Sequence, residues 1–286
     1  ITNNPGFRLQ MKDVLQKFQE KHLFVEPFPH IIIPNALQDS ENKQLIQQLK
    51  YAETIALQLQ GGRPSLSRYA IEQNIISEDR NLSALKTFNK IHSGREFGQK
   101  MLNIFEPFIE SNLPNIPLGR IKDYAASDST FIINNPPVAG SYSPRGPHLD
   151  TFSTMCTFLY YVRPDNQLKG GNLQFYKHRD RFRGFNRFSR VDTNYLPSRS
   201  IELYKEVPYE NNMLTIFLNG VNSVHGVQPV ELGSPSRYLF TGGCVYAEDC
   251  YNPRSYLAKN EVLKDVVGEF YQKLRFKLLG QKPYGK

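Results

Sequence analysis

The sequence predicts a mainly β protein with flanking helices, and three observations carry that prediction. From about residue 120 to residue 248, short runs rich in β-branched and aromatic residues alternate with Gly, Pro and Asn. That punctuation belongs to an all-β sandwich or barrel. Ahead of it, apolar residues recur at helical spacing, and a further helical pattern covers about 260–279. We read one domain, 1–286, with a mostly helical buttress over 1–118, a β core over 119–248 and a C-terminal helix within 249–286.

The elements follow in order. Met11, Val14, Leu15 and Phe18 predict a short amphipathic helix over 8–21. Pro27-Phe28-Pro29-His30 breaks it, and Ile31-Ile32-Ile33 reads as a buried strand closed by Pro34. Ser40 and Glu41 open a helix that Leu45, Ile46 and Leu49 continue. Residues 61–80, with Gly61-Gly62 and Pro64, read as a loop. A helical region spans about 82–112, and Ser93-x-x-Glu96 has the form of a capping box that divides it in two. Met101, Leu102, Phe105, Phe108 and Ile109 make the second helix's apolar stripe. Strands are predicted over Ser129–Asn134, Met155–Arg163, Asn172–Lys177, Ile201–Val207, Met213–Leu218, Val221–Val230 and Arg237–Ala247.

Composition narrows the class of protein. The chain has 286 residues, 40% hydrophobic and 22% charged, an ordinary globular balance with enough length for a sizeable core. No apolar run reaches the length of a membrane helix, so no membrane partner is expected. No secretory signal pattern opens the sequence, which starts at Ile1. Cys156, Cys244 and Cys250 are too few and too scattered for a disulfide framework or a Cys-rich zinc site. A cytoplasmic location is the resulting expectation. The net charge of +8 points to a generally basic surface.

Chemistry concentrates in Arg145-Gly146-Pro147-His148-Leu149-Asp150-Thr151. On an extended chain, residues i and i+2 face the same way, so His148 and Asp150 aim together. An imidazole and a carboxylate so placed form two-thirds of the 2-His-1-carboxylate set that holds non-haem Fe(II) with three positions open. His225, in Asn222-Ser223-Val224-His225-Gly226-Val227, is the candidate for the third. The remaining histidines fit less well: His22 near a helix end, His30 in a Pro-rich turn, His92 in a helical region and His178 in a basic loop. A lone His is more often a satisfied core or surface residue, and the pairing with Asp150 is what lifts His148 above that reading.

At this point the chain resembles a known family, the Fe(II)/2-oxoglutarate-dependent oxygenases, in their prolyl-4-hydroxylase-like branch. The resemblance covers roughly residues 120–248 and rests on five pieces in order. These are His148-x-Asp150, Thr157-Phe158-Leu159-Tyr160-Tyr161, Gly170-Gly171-Asn172-Leu173, His225-Gly226-Val227-x-Pro229-Val230, and Arg237. It implies a double-stranded β-helix (jelly-roll, cupin-like) core, and His148, Asp150 and His225 as catalytic ligands of Fe(II). It implies 2-oxoglutarate as co-substrate, bound through Arg237 and Tyr161 with Thr157 nearby, and O2 as the oxidant. A planar guanidinium suits a carboxylate through two parallel hydrogen bonds. For Arg237 the bland alternative is a structural ion pair, and for Tyr161 and Thr157 it is strand packing. Gly170-Gly171 is either a close backbone approach to the site or a plain turn. Related halogenases lack the carboxylate that this sequence keeps at Asp150, so hydroxylation is expected, with succinate and CO2 as co-products. Because the imidazoles must be neutral to bind metal, activity is expected to fall at acid pH.

The segment 177–190 interleaves Lys177, Arg179, Arg181, Arg183, Arg187 and Arg190 with Phe182, Phe185 and Phe188. Three readings stay open: a solvated loop, an anion clamp in which Arg181 and Arg183 hold substrate, or a single-stranded nucleic-acid surface. No nucleic-acid motif supports the last. For function, the first expectation is a hydroxylase of a small anionic or amino-acid-like molecule. The alternatives are a peptidyl (prolyl-type) hydroxylase and a non-catalytic jelly-roll binding module.

Overall fold

The computed structural model describes residues 11–59, 68–71, 73–135, 146–179, 196 and 201–252. Among the described residues, ten strands form two sheets. The larger, of seven strands, runs in the order β1 (Leu23–Phe24), β2 (His30–Ile33), β8 (Met213–Leu218), β5 (Thr154–Val162), β10 (Arg237–Val245), β4 (Thr130–Asn134) and β3 (Arg68–Ile71). The smaller pairs β7 (Ile201–Val207), β6 (Leu173–His178) and β9 (His225–Val227). Every strand pairing in both sheets is antiparallel. The fold is mainly β with flanking helices, on a double-stranded β-helix core.

The central strand β5 shows how period-2 alternation builds two cores. Phe158, Tyr160 and Val162 pack on the helix-facing side with Phe88, Phe97 and Phe240. Leu159 and Tyr161 point between the sheets, where Phe28, Phe175, Phe217 and Leu239 meet them. The helices α1 (Asp39–Leu59), α2 (Gln73–Glu78), α3 (Ser83–His92) and α4 (Arg95–Asn112) lie on the N-terminal side of β4 in the sequence. From α3, Phe88 stacks on Phe240 at 3.9 Å and on Tyr160 at 4.9 Å. From α4, Phe97 meets Phe158 edge-on at 5.5 Å. Burying aromatic area of this kind is the main favourable term for the layer.

Several local expectations change. The helix predicted over 8–21 is absent from the described residues 11–22, which run as turns and a 3-10 turn, Glu20–His22. Met11, Val14 and Leu15 are buried all the same. Their stretch gives its backbone donors to other elements: Lys12 N–H to Glu41 Oε1 at 2.9 Å and Val14 N–H to His92 Nε2 at 3.0 Å. Tertiary partners satisfy what an α-helical ladder would have satisfied. Within 61–80, read as a loop, β3 pairs with β4 and α2 follows it. β3 is an edge strand exposed at Arg68 and Ala70, so its hydrophobic pattern is weak. The division into α3 and α4 agrees with the reading of two helices, but not through a capping box. Gly94, at φ 108°, is the N-cap of α4 without a side-chain cap. Its backbone instead exchanges two hydrogen bonds with Ser127, at 2.8 and 3.0 Å. The strand predicted over Val221–Val230 shrinks to β9, because Gly220–Ser223 forms a turn closed by the Ser223 hydroxyl on the Gly220 carbonyl. The C-terminal helix expected over 260–279 lies outside the described residues.

Two buried imidazoles tie stability to pH. Burial pushes His92 down to about 4, and it pushes His30 to about 4 as well, against an ordinary 6.5. His92 Nδ1–H donates to the Phe88 carbonyl, and Nε2 accepts from Val14, so the ring is held neutral. The unfolded chain therefore takes up these protons first. Their stabilisation is whole above the unfolded value of 6.5 and is lost as pH falls toward 4. For fully buried His92 the loss is on the order of 3 kcal/mol. Thermal unfolding is expected to move to lower temperature progressively between about pH 7 and about pH 4. An unchanged midpoint across that window contradicts the assignment.

Candidate metal and co-substrate site

His148 and His225 are joined by an isolated antiparallel bridge, with His148 N–H on the His225 carbonyl at 2.8 Å and the reverse bond at 3.0 Å. Directly opposed residues in such a bridge share a face, and their rings stand 4.3 Å apart. Asp150 aims the same way. Its Oδ1 is 3.8 Å from His148 Nε2 and 3.7 Å from His225 Nε2. One donor atom from each residue lies within 4.8 Å of the others. Both rings are almost fully buried. Each is oriented by a backbone carbonyl two residues earlier: His148 Nδ1–H donates to Gly146 at 2.8 Å and His225 Nδ1–H to Ser223 at 2.9 Å. A carbonyl only accepts, so each Nδ1 carries a proton and Nε2 is the ring atom turned toward Asp150 and able to ligate a metal. Two imidazoles and one carboxylate converging on a point, with orienting hydrogen bonds behind them, form the donor set of a non-haem iron site.

Residues around Asp150 were not legible in the sequence. Thr157 was expected beside the far carboxylate of the co-substrate; its hydroxyl instead donates to Asp150 Oδ2 at 2.6 Å. Asn219, one residue past β8, donates from Nδ2 to Thr157 Oγ1 at 3.0 Å. Buried Tyr251 donates to the Asp150 carbonyl at 3.2 Å and so ties the segment after β10 to the ligand loop.

The other end of the site is at the first residue of β10. Arg237 is buried, and its Nε and Nη2 have no hydrogen-bond partner among the described residues. It forms no ion pair there either, which argues against a structural salt bridge. The guanidinium lies between two rings, 4.8 Å from Tyr161 and 4.8 Å from Tyr209. Tyr161 Oη is buried beside that guanidinium, with no hydrogen bond of ordinary geometry among the described residues. Burial pushes the Tyr161 phenol up and the Arg237 charge pulls it back, so it stays a neutral donor. Tyr209, absent from the sequence reading, is pinned by its hydroxyl to the backbone: it accepts from Tyr238 N–H at 2.9 Å and lies 3.1 Å from the Val162 carbonyl. Gly171, at φ 77°, passes so close that a Cβ there would stand 3.3 Å from Arg237 Cδ. Gly171 is thus a close approach to the Arg237 side chain, and Gly170 one to the Pro229 carbonyl. Thr157 and Tyr161 are four residues apart on β5, about 13 Å of strand, so this one strand serves both ends of the site.

Arg181 and Arg183 lie outside the described residues. His30, His92 and His22 take no part in the cluster: the first two are buried among aromatic rings and His22 caps a 3-10 turn.

The family model described as "2OG-Fe(II) oxygenase superfamily" matches residues 139–242, a span holding all three donors and Arg237. Residues 139–242 thus carry a 2OG-Fe(II) oxygenase superfamily domain. Similar solved structures include a prolyl hydroxylase from Trichoplax adhaerens in complex with a hypoxia inducible factor oxygen degradation domain peptide, at 15% identity and TM-score 0.43, covering 76% of this chain and 83% of that one. A prolyl-4-hydroxylase from Pseudomonas putida matches at 14% and TM-score 0.40, covering 77% and 93%. IDO from Bacillus thuringiensis matches at 17% and TM-score 0.41, covering 77% and 93%. No curated protein matches the sequence.

The oxygenase uses Fe(II), 2-oxoglutarate and O2, and its residues fit that set. The three donors suit ferrous iron. Two guanidinium nitrogens have no partner among the described residues, and with the adjacent phenol they suit a buried carboxylate. This is a dioxygenase, so the non-catalytic reading falls. Among the described residues no helix is long and apolar enough to cross a membrane.

Proposed function

We propose that this oxygenase hydroxylates an unactivated C–H bond of a small anionic or amino-acid-like molecule, forming succinate and CO2 from 2-oxoglutarate. The observation that carries the reaction class is the convergence of His148, Asp150 and His225 on one point, with the Arg237 guanidinium, two of whose nitrogens have no partner among the described residues, on β10, which pairs with β5. Bound Fe(II) supplies the oxidising chemistry, and the protein supplies binding, orientation and exclusion of water. His148, Asp150 and His225 hold the metal, and Arg237 and Tyr161 hold the far carboxylate of 2-oxoglutarate.

The substrate class rests on the rim. In β6, Phe175 lies across from His225, and after Tyr176 come Lys177, which is paired with Glu26 at 2.8 Å, then His178 and Arg179. Cationic side chains therefore stand a few residues from an iron ligand, where an anionic group of the substrate is stabilised. One observation favours a second reading, a peptidyl hydroxylase. An open cleft of about 230 Å³, lined by Pro27, Tyr176, Lys177, His178 and Asn222, suits an extended chain.

The deciding experiment loads the protein anaerobically with Fe(II) and screens amino acids, small carboxylates and peptides for substrate-stimulated CO2 release. Small anionic molecules are expected to stimulate turnover. Stimulation by peptides alone overturns the small-molecule assignment in favour of the second reading.

A further inference from the structure

We propose that Thr157 and Asn219 are positioning residues that hold Asp150 to one-oxygen ligation, keeping its second oxygen away from the metal. The proposal rests on the metal site described above and concerns how that site is kept open.

The argument begins with which atoms carry protons. An ionised carboxylate only accepts, so the Thr157 hydroxyl, 2.6 Å from Asp150 Oδ2, must donate to it. Having one proton, that hydroxyl can meet Asn219 only as an acceptor. The Asn219 amide must therefore turn its NH2 toward Thr157, at 3.0 Å, and its carbonyl away. The Ser223 hydroxyl faces that carbonyl oxygen at 3.4 Å. Asn219 is itself anchored, with its backbone N–H on the Met155 carbonyl at 2.9 Å, which fixes the end of β8 to β5. Thr157, Asn219 and Ser223 are all buried. The Ser223 hydroxyl gives its proton to the Gly220 carbonyl at 2.8 Å, so the bonded chain behind the carboxylate runs from Asp150 through Thr157 to Asn219. Ser223 supports the second imidazole separately, through its backbone carbonyl, which accepts from His225 Nδ1–H.

The consequence lies in the division between the two carboxylate oxygens. Oδ1 faces both Nε2 atoms, at 3.8 and 3.7 Å, and Oδ2 is engaged by Thr157. A carboxylate free to rotate can chelate through both oxygens and take a coordination position. The 2-oxo acid needs two positions and dioxygen a third, so a second carboxylate oxygen on the metal obstructs one of them. A short, charge-assisted hydrogen bond on Oδ2 opposes that. Hydrogen-bonding partners behind metal ligands typically change metal affinity by about 10- to 100-fold when removed.

The test measures metal binding without turnover. Mn(II) or Co(II) affinity is determined for the wild-type chain, Thr157→Val, Thr157→Ser, Asn219→Asp and the Thr157→Val/Asn219→Asp pair, and the visible absorption of the Co(II) forms is compared. Thr157→Val is expected to change affinity by about 10-fold or more and to alter the Co(II) spectrum, because the carboxylate is released. Thr157→Ser keeps the hydroxyl and is expected to restore both. Asn219→Asp should shift affinity in the same direction, and the double variant should add little, since Asn219 acts through Thr157. Thr157→Val with wild-type affinity and spectrum overturns the proposal, and so do fully additive effects. Should Thr157→Val not fold, Asn219→Asp alone decides, with unchanged affinity and spectrum overturning the proposal. A wild-type chain that takes up neither metal overturns the metal site itself, an outcome distinct from variants that match a metal-binding wild type.

Discussion

Replacing His148, Asp150 or His225 with Ala is expected to reduce succinate formation to the background of the assay, a loss of about 10³-fold or more if several kcal/mol of metal-derived stabilisation vanish. The three donor atoms lie within 4.8 Å of one another, so removing one leaves a two-ligand site that does not fix coordination geometry. The fold is expected to survive, because the bridge between residues 148 and 225 is made by backbone N–H and C=O groups that Ala keeps. Asp150→Ala leaves the Thr157 hydroxyl without its acceptor, a modest cost of about 1–3 kcal/mol. The measurement pairs succinate yield with thermal unfolding. A variant that is folded and turns over normally removes that residue from the metal site.

Arg237→Ala is expected to raise the 2-oxoglutarate requirement by about 10²-fold, from the 2–5 kcal/mol typical of truncating a buried hydrogen-bonded charge pair. The wild-type guanidinium is buried, flanked by Tyr161 and Tyr209 at 4.8 Å each, and has two unpartnered nitrogens. Such a group binds its carboxylate through a fixed planar fork, so Arg237→Lys should restore only part of the affinity. Binding of 2-oxoglutarate to the metal-loaded protein should raise the unfolding temperature of wild type and leave Arg237→Ala nearly unmoved. An ordinary 2-oxoglutarate dependence in Arg237→Ala withdraws the residue from the co-substrate site. Loss of stability alone, with the dependence intact, returns it to a structural role.

His148 and Asp150 were legible because a two-residue repeat survives in any extended chain. His225 was legible because its β run is followed twelve residues later by Arg237 in a further β run; His30 and His178, read as turn and loop, also lie on strands, β2 and β6. Thr157 was placed on the correct strand but with the wrong partner, since its register relative to Asp150 depends on a loop closing back over β5. Asn219, Tyr209 and Tyr251 belong to no local pattern. Asn219 follows β8, Tyr209 precedes it, and Tyr251 lies beyond β10. Each matters only through atoms far along the chain, as in the Asn219 bond to Thr157, 62 residues away.

By itself the sequence determined the class of fold and the chemistry of the donors. Side-chain periodicity is a property of each strand taken alone, and so is the facing of His148 and Asp150. Tertiary structure alone decided where backbone donors went at residues 11–22, which hydroxyl holds Asp150 Oδ2, and that Arg237 stays buried between two rings with no carboxylate partner among the described residues. Those outcomes are set by which strands become neighbours and in what register. A hydrogen bond forms only when donor and acceptor arrive within about 3 Å of each other, and no local stretch of sequence encodes that meeting.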